Sequence, residues 1–128
     1  MSESQIQRSI LEWCSLQRGL IAHRINVVGT PLHTQSGKTV FRPSPNVGMS
    51  DLHLTVLVNQ IPVAVWLEVK SRTGRQTANQ KVFEQRILAL GGYYYIVRSI
   101  DDCISAVAEV RAHTISTLEE YNDNSTDR

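Results

Sequence analysis

The chain has 128 residues, 41% of them apolar and 20% charged, with a formal net charge of +1. That length fits one domain with a core of its own, and the balance sets aside a disordered chain, a coiled coil and a collagen-like repeat. No run approaches the roughly 18–20 apolar residues of a membrane span, and the polar start Met1–Gln7 holds no signal-peptide core. Cys14 and Cys103 are therefore read as reduced thiols of a cytoplasmic protein. The near-neutral total hides an asymmetry. Residues 1–100 carry eleven bases against five acids (+6), and residues 101–128 carry two bases against seven acids (−5). A basic body with an acidic end leaves a nucleic-acid partner open.

In chain order, residues 3–18 read as a helix, with Ile6, Ile10 and Trp13 on one face, Ser2 as N-cap and Gly19 as the stop. Arg8 and Glu12 stand at i, i+4 and are expected to pair. Leu20–Val28 reads as a strand. Residues 29–47 form a long loop rich in glycine and proline, in which Thr39–Phe41 can pair back as part of a hairpin. Asp51–Val58 alternates, with Leu52, Leu54, Val56 and Val58 on one face. After a turn at Asn59-Gln60, Pro62–Lys70 is its antiparallel partner, apolar enough to be a central strand. Thr77 caps a helix to Leu90 with Phe83, Ile87 and Leu90 inside, and Gly91-Gly92 ends it. Tyr93–Arg98 is a strand, and Asp101–His113 a helix with Ile104, Val107 and Ala108 inside, extended by a turn or two over 114–121. The fold class is α/β in the α+β sense: a mixed sheet in the order helix, three strands, helix, strand, helix. Residues 1–122 form one domain and 123–128 a flexible acidic tail.

Three charges stand where apolar residues are expected. Asp51 opens an apolar strand, and Glu68 and Lys70 close one, on the same face. Each acid lies about eight residues from the turn at Asn59-Gln60, so the two are near neighbours across the strand pair. Burying charge costs several kcal/mol unless it is paired or metal-bound, and adjacent carboxylates repel. A divalent cation relieves both, and an all-oxygen ligand set favours Mg²⁺ over zinc. The competing reading of Glu68-x-Lys70 is a surface ion pair. His23, His33, His53 and His113 show no ligand spacing. The bases Lys70, Arg72, Arg75, Lys81 and Arg86 face a single acid, Glu84, between residues 70 and 86. With Arg24, Lys38 and Arg42 they are candidates for DNA phosphate contacts.

Gly48-Met49-Ser50-Asp51 followed by Glu68-Val69-Lys70 resembles the PD-(D/E)XK nuclease signature, with Ser50 where that motif has proline. More closely, the chain resembles the VRR-NUC family of that superfamily. The matching pieces are Glu3 and Gln7, Arg24-Ile25-Asn26, Gly48 to Asp51, Glu68-Val69-Lys70, Gln80 and the closing strand after Gly91-Gly92, over roughly residues 3–102. The resemblance implies a restriction-endonuclease-like core. It implies one or two Mg²⁺ or Mn²⁺ ions held by Asp51, Glu68, the carbonyl of Val69 and Glu3, with Lys70 and Gln80 completing the catalytic set and Lys70 orienting or activating a water. Two readings stand for Glu3, a metal-facing acid on the buried side of the first helix and a solvated terminal acid. Standalone members resemble Holliday junction resolvases acting as two-fold dimers. The expected protein is thus a homodimeric, Mg²⁺-dependent endonuclease of branched DNA, leaving a 5′-phosphate, in the cytoplasm of a bacterium or phage-infected host. Its alternatives are a flap, nicking or restriction-like nuclease, and a DNA-binding module that does not cut.

Overall fold

Helix α1 (Glu3–Ser15) starts on a capping box. The Ser2 hydroxyl accepts from the Gln5 amide at 3.2 Å, and the Gln5 side chain accepts from the Ser2 amide at 2.8 Å, so two otherwise orphaned donors are satisfied. Ile6, Ile10 and Cys14 form its buried face. The computed structural model describes residues 1–25 and 29–126. The expected strand over 20–28 is seen as β1 (Leu20–Arg24), and Asn26 of the Arg24-Ile25-Asn26 motif lies outside the described residues.

Strands β2 (Thr30–His33) and β3 (Thr39–Arg42) form a separate antiparallel hairpin. Strands β4 (Leu52–Val58) and β5 (Ile61–Val69) follow, then helix α2 (Ala78–Ala89), strand β6 (Tyr93–Val97) and helix α3 (Ile100–Thr126). The main sheet has the order β1-β4-β5-β6. The β1/β4 and β4/β5 pairs are antiparallel, and β5/β6 is parallel through the α2 crossover. Asn59 and Gln60 have φ of 47° and 68°, the left-handed pair of a two-residue hairpin turn. That turn pins Leu52 opposite Leu67.

One face of the sheet carries the core. Leu52, Leu54, Val56, Val65, Leu67 and Val69 pack there against Ile6 and Ile10 of α1 and Val107 and Val110 of α3. Ile10, Leu54 and Leu67 have no exposed surface, and burying each is worth about 1.5–3 kcal/mol. Cys14 and Cys103, distant in sequence, meet in this layer as free buried thiols. Their mutual hydrogen bond holds Cys14 below and Cys103 above the ordinary thiol range. The other face carries a row of aromatic contacts, His53 to Trp66 to Phe83 to Tyr94, which seats α2.

Several expectations are corrected. The 29–47 segment pairs back at Thr39–Phe41 as expected, and gains a strand not expected there, Thr30–His33, as the partner. Both of its strands are exposed along their length, so no core-facing alternation announces them. Helix α1 stops at Ser15 rather than 18. Leu90 is 85% exposed, since it caps α2 where the chain turns away through Gly91. Val107 is buried as expected, but Ile104 and Ala108 are exposed, and Cys103 and Val110 complete the buried face of α3. Residues 123–126 are the last turn of α3, not a tail, and 127–128 lie outside the described residues. Arg8 and Glu12 do not pair: among the described residues the one ion pair is Lys70 to Glu68. No helix among the described residues is long and apolar enough to cross a membrane.

Candidate functional site

The acidic site lies at the end of the sheet where β4 begins and β5 and β6 finish. The Leu52–Leu67 register carries Asp51 toward Glu68. The half-buried Asp51 carboxylate is held by the Val69 amide, which donates to Oδ2 at 2.8 Å. Gly48 makes this approach to β4 possible. Its φ is +86°, and a Cβ there would stand 2.9 Å from the backbone oxygen of Asn79 in the first turn of α2.

Glu68 is the centre of the site and is 1% exposed. Its Oε1 accepts from Gln80 Nε2 at 2.8 Å and lies 3.7 Å from Lys70 Nζ. Its buried Oε2 accepts from no donor among the described residues. Burial foremost, then the charge and hydrogen bonding of Asp51, push Glu68 up to about 8; Lys70 pulls the other way and Glu3 adds to the rise. Lys70 is itself buried, and its amide is tied to the Val97 carbonyl at 3.0 Å. Gln80 has two tasks. It is the N3 residue of the α2 capping box, its Oε1 accepting from the Thr77 amide at 2.9 Å, while its Nε2 reaches Glu68. The cap thus fixes the amide that holds the carboxylate.

Glu3 reaches the site from the other layer. Its Oε1 accepts from the Ser71 amide at 3.4 Å, which ties the start of α1 to the loop after β5. The five residues named from the sequence, Asp51, Glu68, Lys70, Gln80 and Glu3, therefore converge. As the side chains stand, no group of three or more His, Cys, Asp or Glu among the described residues closes around one metal position. Asp51 and Glu68 form the pair, with Glu3 beside them on Ser71.

The basic candidates divide. Arg72 and Arg75 are exposed on the loop that leaves Lys70, and Lys81 is exposed in the first turns of α2. Arg24 ends β1, one residue before the Ile25 amide donates to the Asp51 carbonyl at 2.8 Å. Lys38 and Arg42 belong to the hairpin.

Two residues of the site escape a reading of the sequence. The Arg98 guanidinium donates through Nη1 to the carbonyls of Ser71 at 2.6 Å, Gly74 at 2.8 Å and Arg72 at 3.5 Å. It clasps the loop that Glu3 holds from the other side. Tyr94 is buried beneath α2, and its hydroxyl accepts from Gln76 Nε2 at 3.1 Å. Burial first, with the nearby Glu68, Glu84 and Asp51 charges, holds its phenol above the usual range against the pull of Gln76. His53 is driven below its usual value by burial and by His23 across the strand pair.

No protein-family model matches the chain, and no curated protein or solved structure matches it either.

Proposed function

We propose that this chain is a divalent-metal-dependent DNA endonuclease with the restriction-endonuclease-like core of the VRR-NUC branch of the PD-(D/E)XK nucleases. The observation that carries the reading is the buried Glu68 carboxylate, flanked by Asp51 and contacted by both Lys70 and Gln80. Two adjoining carboxylates, one of them inside the protein, are costly unless a positive charge is shared between them. Lys70 supplies part of that charge, and Glu68 Oε2, which accepts from no donor among the described residues, leaves a lone pair for a cation. The donor set is all oxygen and suits Mg²⁺ or Mn²⁺.

Asp51, Glu68, the Val69 carbonyl and Glu3 are the residues that would hold the ion, with Glu3 exchanging its Ser71 contact for it. The bound ion would lower the pKa of a ligated water and neutralise charge developing on the phosphate. The protein's own groups do the rest. Gln80 and the Val69 amide fix the carboxylates so that they need not reorganise during reaction. Lys70, held on the same strand face as Glu68, orients the attacking water and offsets negative charge on the phosphoryl oxygens. Arg72, Arg75 and Lys81 dock the neighbouring phosphates.

The partner reading follows the same line: branched DNA, cut by a homodimer whose two-fold axis places one site on each of two strands. Supporting it is an apolar groove of about 520 Å³ between α2 and the 45–49 segment, beside the site. Val47 and Val82 on its walls are more than half exposed. The work of such an enzyme belongs in the cytoplasm, where the Cys14 and Cys103 thiols stay reduced. Cleavage mapping on labelled four-way junction, flap, nicked and intact duplex tests the reading. The expected result is Mg²⁺-dependent paired cuts at the junction, ending in 5′-phosphate, which Asp51→Ala abolishes. Cleavage unchanged by Asp51→Ala would end the site assignment, and cuts confined to flaps would replace the junction substrate.

A further inference from the structure

A second depression opens on the opposite face of the sheet from α2. It is a groove of about 480 Å³ between α1 and β1, with Ser4, Gln7, Arg8, Glu12, Ser15 and Arg24 on its walls. Strand alternation explains how Arg24 enters it. Leu20, Ala22 and Arg24 share the face turned to α1. Leu20 is buried and Ala22 partly so, whereas Arg24 is exposed where the apolar contact runs out.

Both walls of the groove adjoin residues that touch the acidic site. Arg24 lies opposite Leu52, and the next residue, Ile25, is hydrogen-bonded to Asp51. Gln7 stands one helical turn after Glu3, whose carboxylate holds the loop after β5. Neither Arg8 nor Arg24 has a carboxylate within 4 Å among the described residues, although Glu12 is on the same wall. Two guanidiniums with neutral hydroxyl and amide donors between them form a set matched to phosphate oxygens. Among the described residues the wall holds no aromatic ring on which a base would stack.

Read across the sheet end, the strand order is Arg24 on β1, Asp51 before β4, Glu68 on β5 with Lys70 just past it, and the Arg98-clasped loop beside β6, with Arg24 on the α1 face and Glu68 on the α2 face. At about 4.8 Å between strands the row spans about 14 Å, or roughly four nucleotide rises of 3.4 Å. Bases thus flank the acids on both sides.

We propose that the α1–β1 groove is a phosphodiester-backbone site. Arg8 and Arg24 grip phosphates of the strand on the side of the cut opposite the Ser71–Arg75 loop, without reading base sequence. The proposal rests on the nuclease reading for the identity of its ligand.

The test is equilibrium binding of a fluorescein-labelled four-way junction and a matched duplex in EDTA, measured against salt concentration. The proteins are wild type, Arg8→Gln, Arg24→Gln, the double variant and Arg8→Lys. Each phosphate contact contributes a slope of about −0.9 in log affinity against log salt. Each glutamine variant is expected to bind several-fold more weakly at 0.15 M salt and to flatten the slope by about 0.9, the double variant by about 1.8. These losses should be equal for duplexes of different sequence, and Arg8→Lys should keep most of the slope. Thermal melts matching wild type establish that the variants are folded. Wild-type binding with a steep slope, unaltered in folded Arg8→Gln and Arg24→Gln, overturns the groove site and leaves the nuclease reading standing. Absence of wild-type binding and cleavage overturns the nuclease reading and this site with it.

Discussion

Glu68 offers a test that needs no substrate. Its folded value of about 8 lies above the ordinary 4.5, so the folded metal-free protein keeps a proton that the unfolded chain has released. The stabilisation from that proton is complete below pH 4.5 and is lost as pH rises to 8. Inside that window the loss is about 1.4 kcal/mol per pH unit, to a ceiling of about 5 kcal/mol. With unfolding entropy near 2.1 cal/mol/K per residue, 1 kcal/mol moves Tm by about 4 °C in a chain of 128 residues. Glu68→Gln keeps an acceptor for Gln80 Nε2 and carries no charge. In EDTA, the wild-type Tm should therefore fall relative to that of Glu68→Gln by about 5 °C per pH unit between pH 5 and 8. Mg²⁺ should restore the wild type at pH 8 and leave the variant unmoved. Differential scanning calorimetry at pH 5 to 9 reads both. Parallel Tm profiles for the two proteins would show that Glu68 is not held protonated beside Asp51, and the electrostatic reasoning about the site would fall.

Other outcomes follow from the same geometry. Gly48→Ala forces a Cβ at φ +86° to within 2.9 Å of Asn79; it should cost at least about 2 kcal/mol and lower cleavage, because Gln80 is the next residue of α2. A wild-type Tm for that variant would refute the close approach. Arg98→Ala releases the three carbonyls of the 71–75 loop. Amide exchange there should quicken and DNA binding weaken several-fold with Arg72 and Arg75 intact, and Arg98→Lys should restore only part, lacking the planar fork; unchanged exchange in 71–75 contradicts this. Gln60→Gly relieves a side chain at φ 68°. The αL cost of about 1–2 kcal/mol is partly offset by the extra freedom of unfolded glycine, so a gain of about 0.5–1 kcal/mol in urea denaturation is expected, with cleavage unaltered.

The β4–β5 hairpin and the Asp51–Glu68 neighbourhood were legible from the chain, because a two-residue turn at Asn59-Gln60 leaves one register that buries Leu52 and Leu67 together. Ser2 and Thr77 were legible as caps for the same local reason. The second task of Gln80 was not, since reaching Glu68 depends on how α2 docks. Arg98 and Tyr94 depend on the parallel β5–β6 pairing, which sets Tyr94 beside Trp66 and brings the end of β6 under the 71–75 loop. No local pattern encodes a pairing made through a crossover. The β2–β3 hairpin was legible only in part, as it turns no face to the core. On α3 the local pattern marks Val107 correctly but not its neighbours: Ile104 and Ala108 carry apolar character, whereas Cys103 carries the contact beside Val107.

The decisive comparison is Mg²⁺-dependent cleavage of a synthetic four-way junction by wild type and by Glu68→Ala, each also in EDTA. Wild type in Mg²⁺ should cut the junction, and both the EDTA reaction and the Glu68→Ala variant should leave it whole. Cutting that persists in Glu68→Ala or in EDTA, or an intact junction with wild type in Mg²⁺, would contradict a metal-dependent nuclease site at Asp51, Glu68 and Lys70.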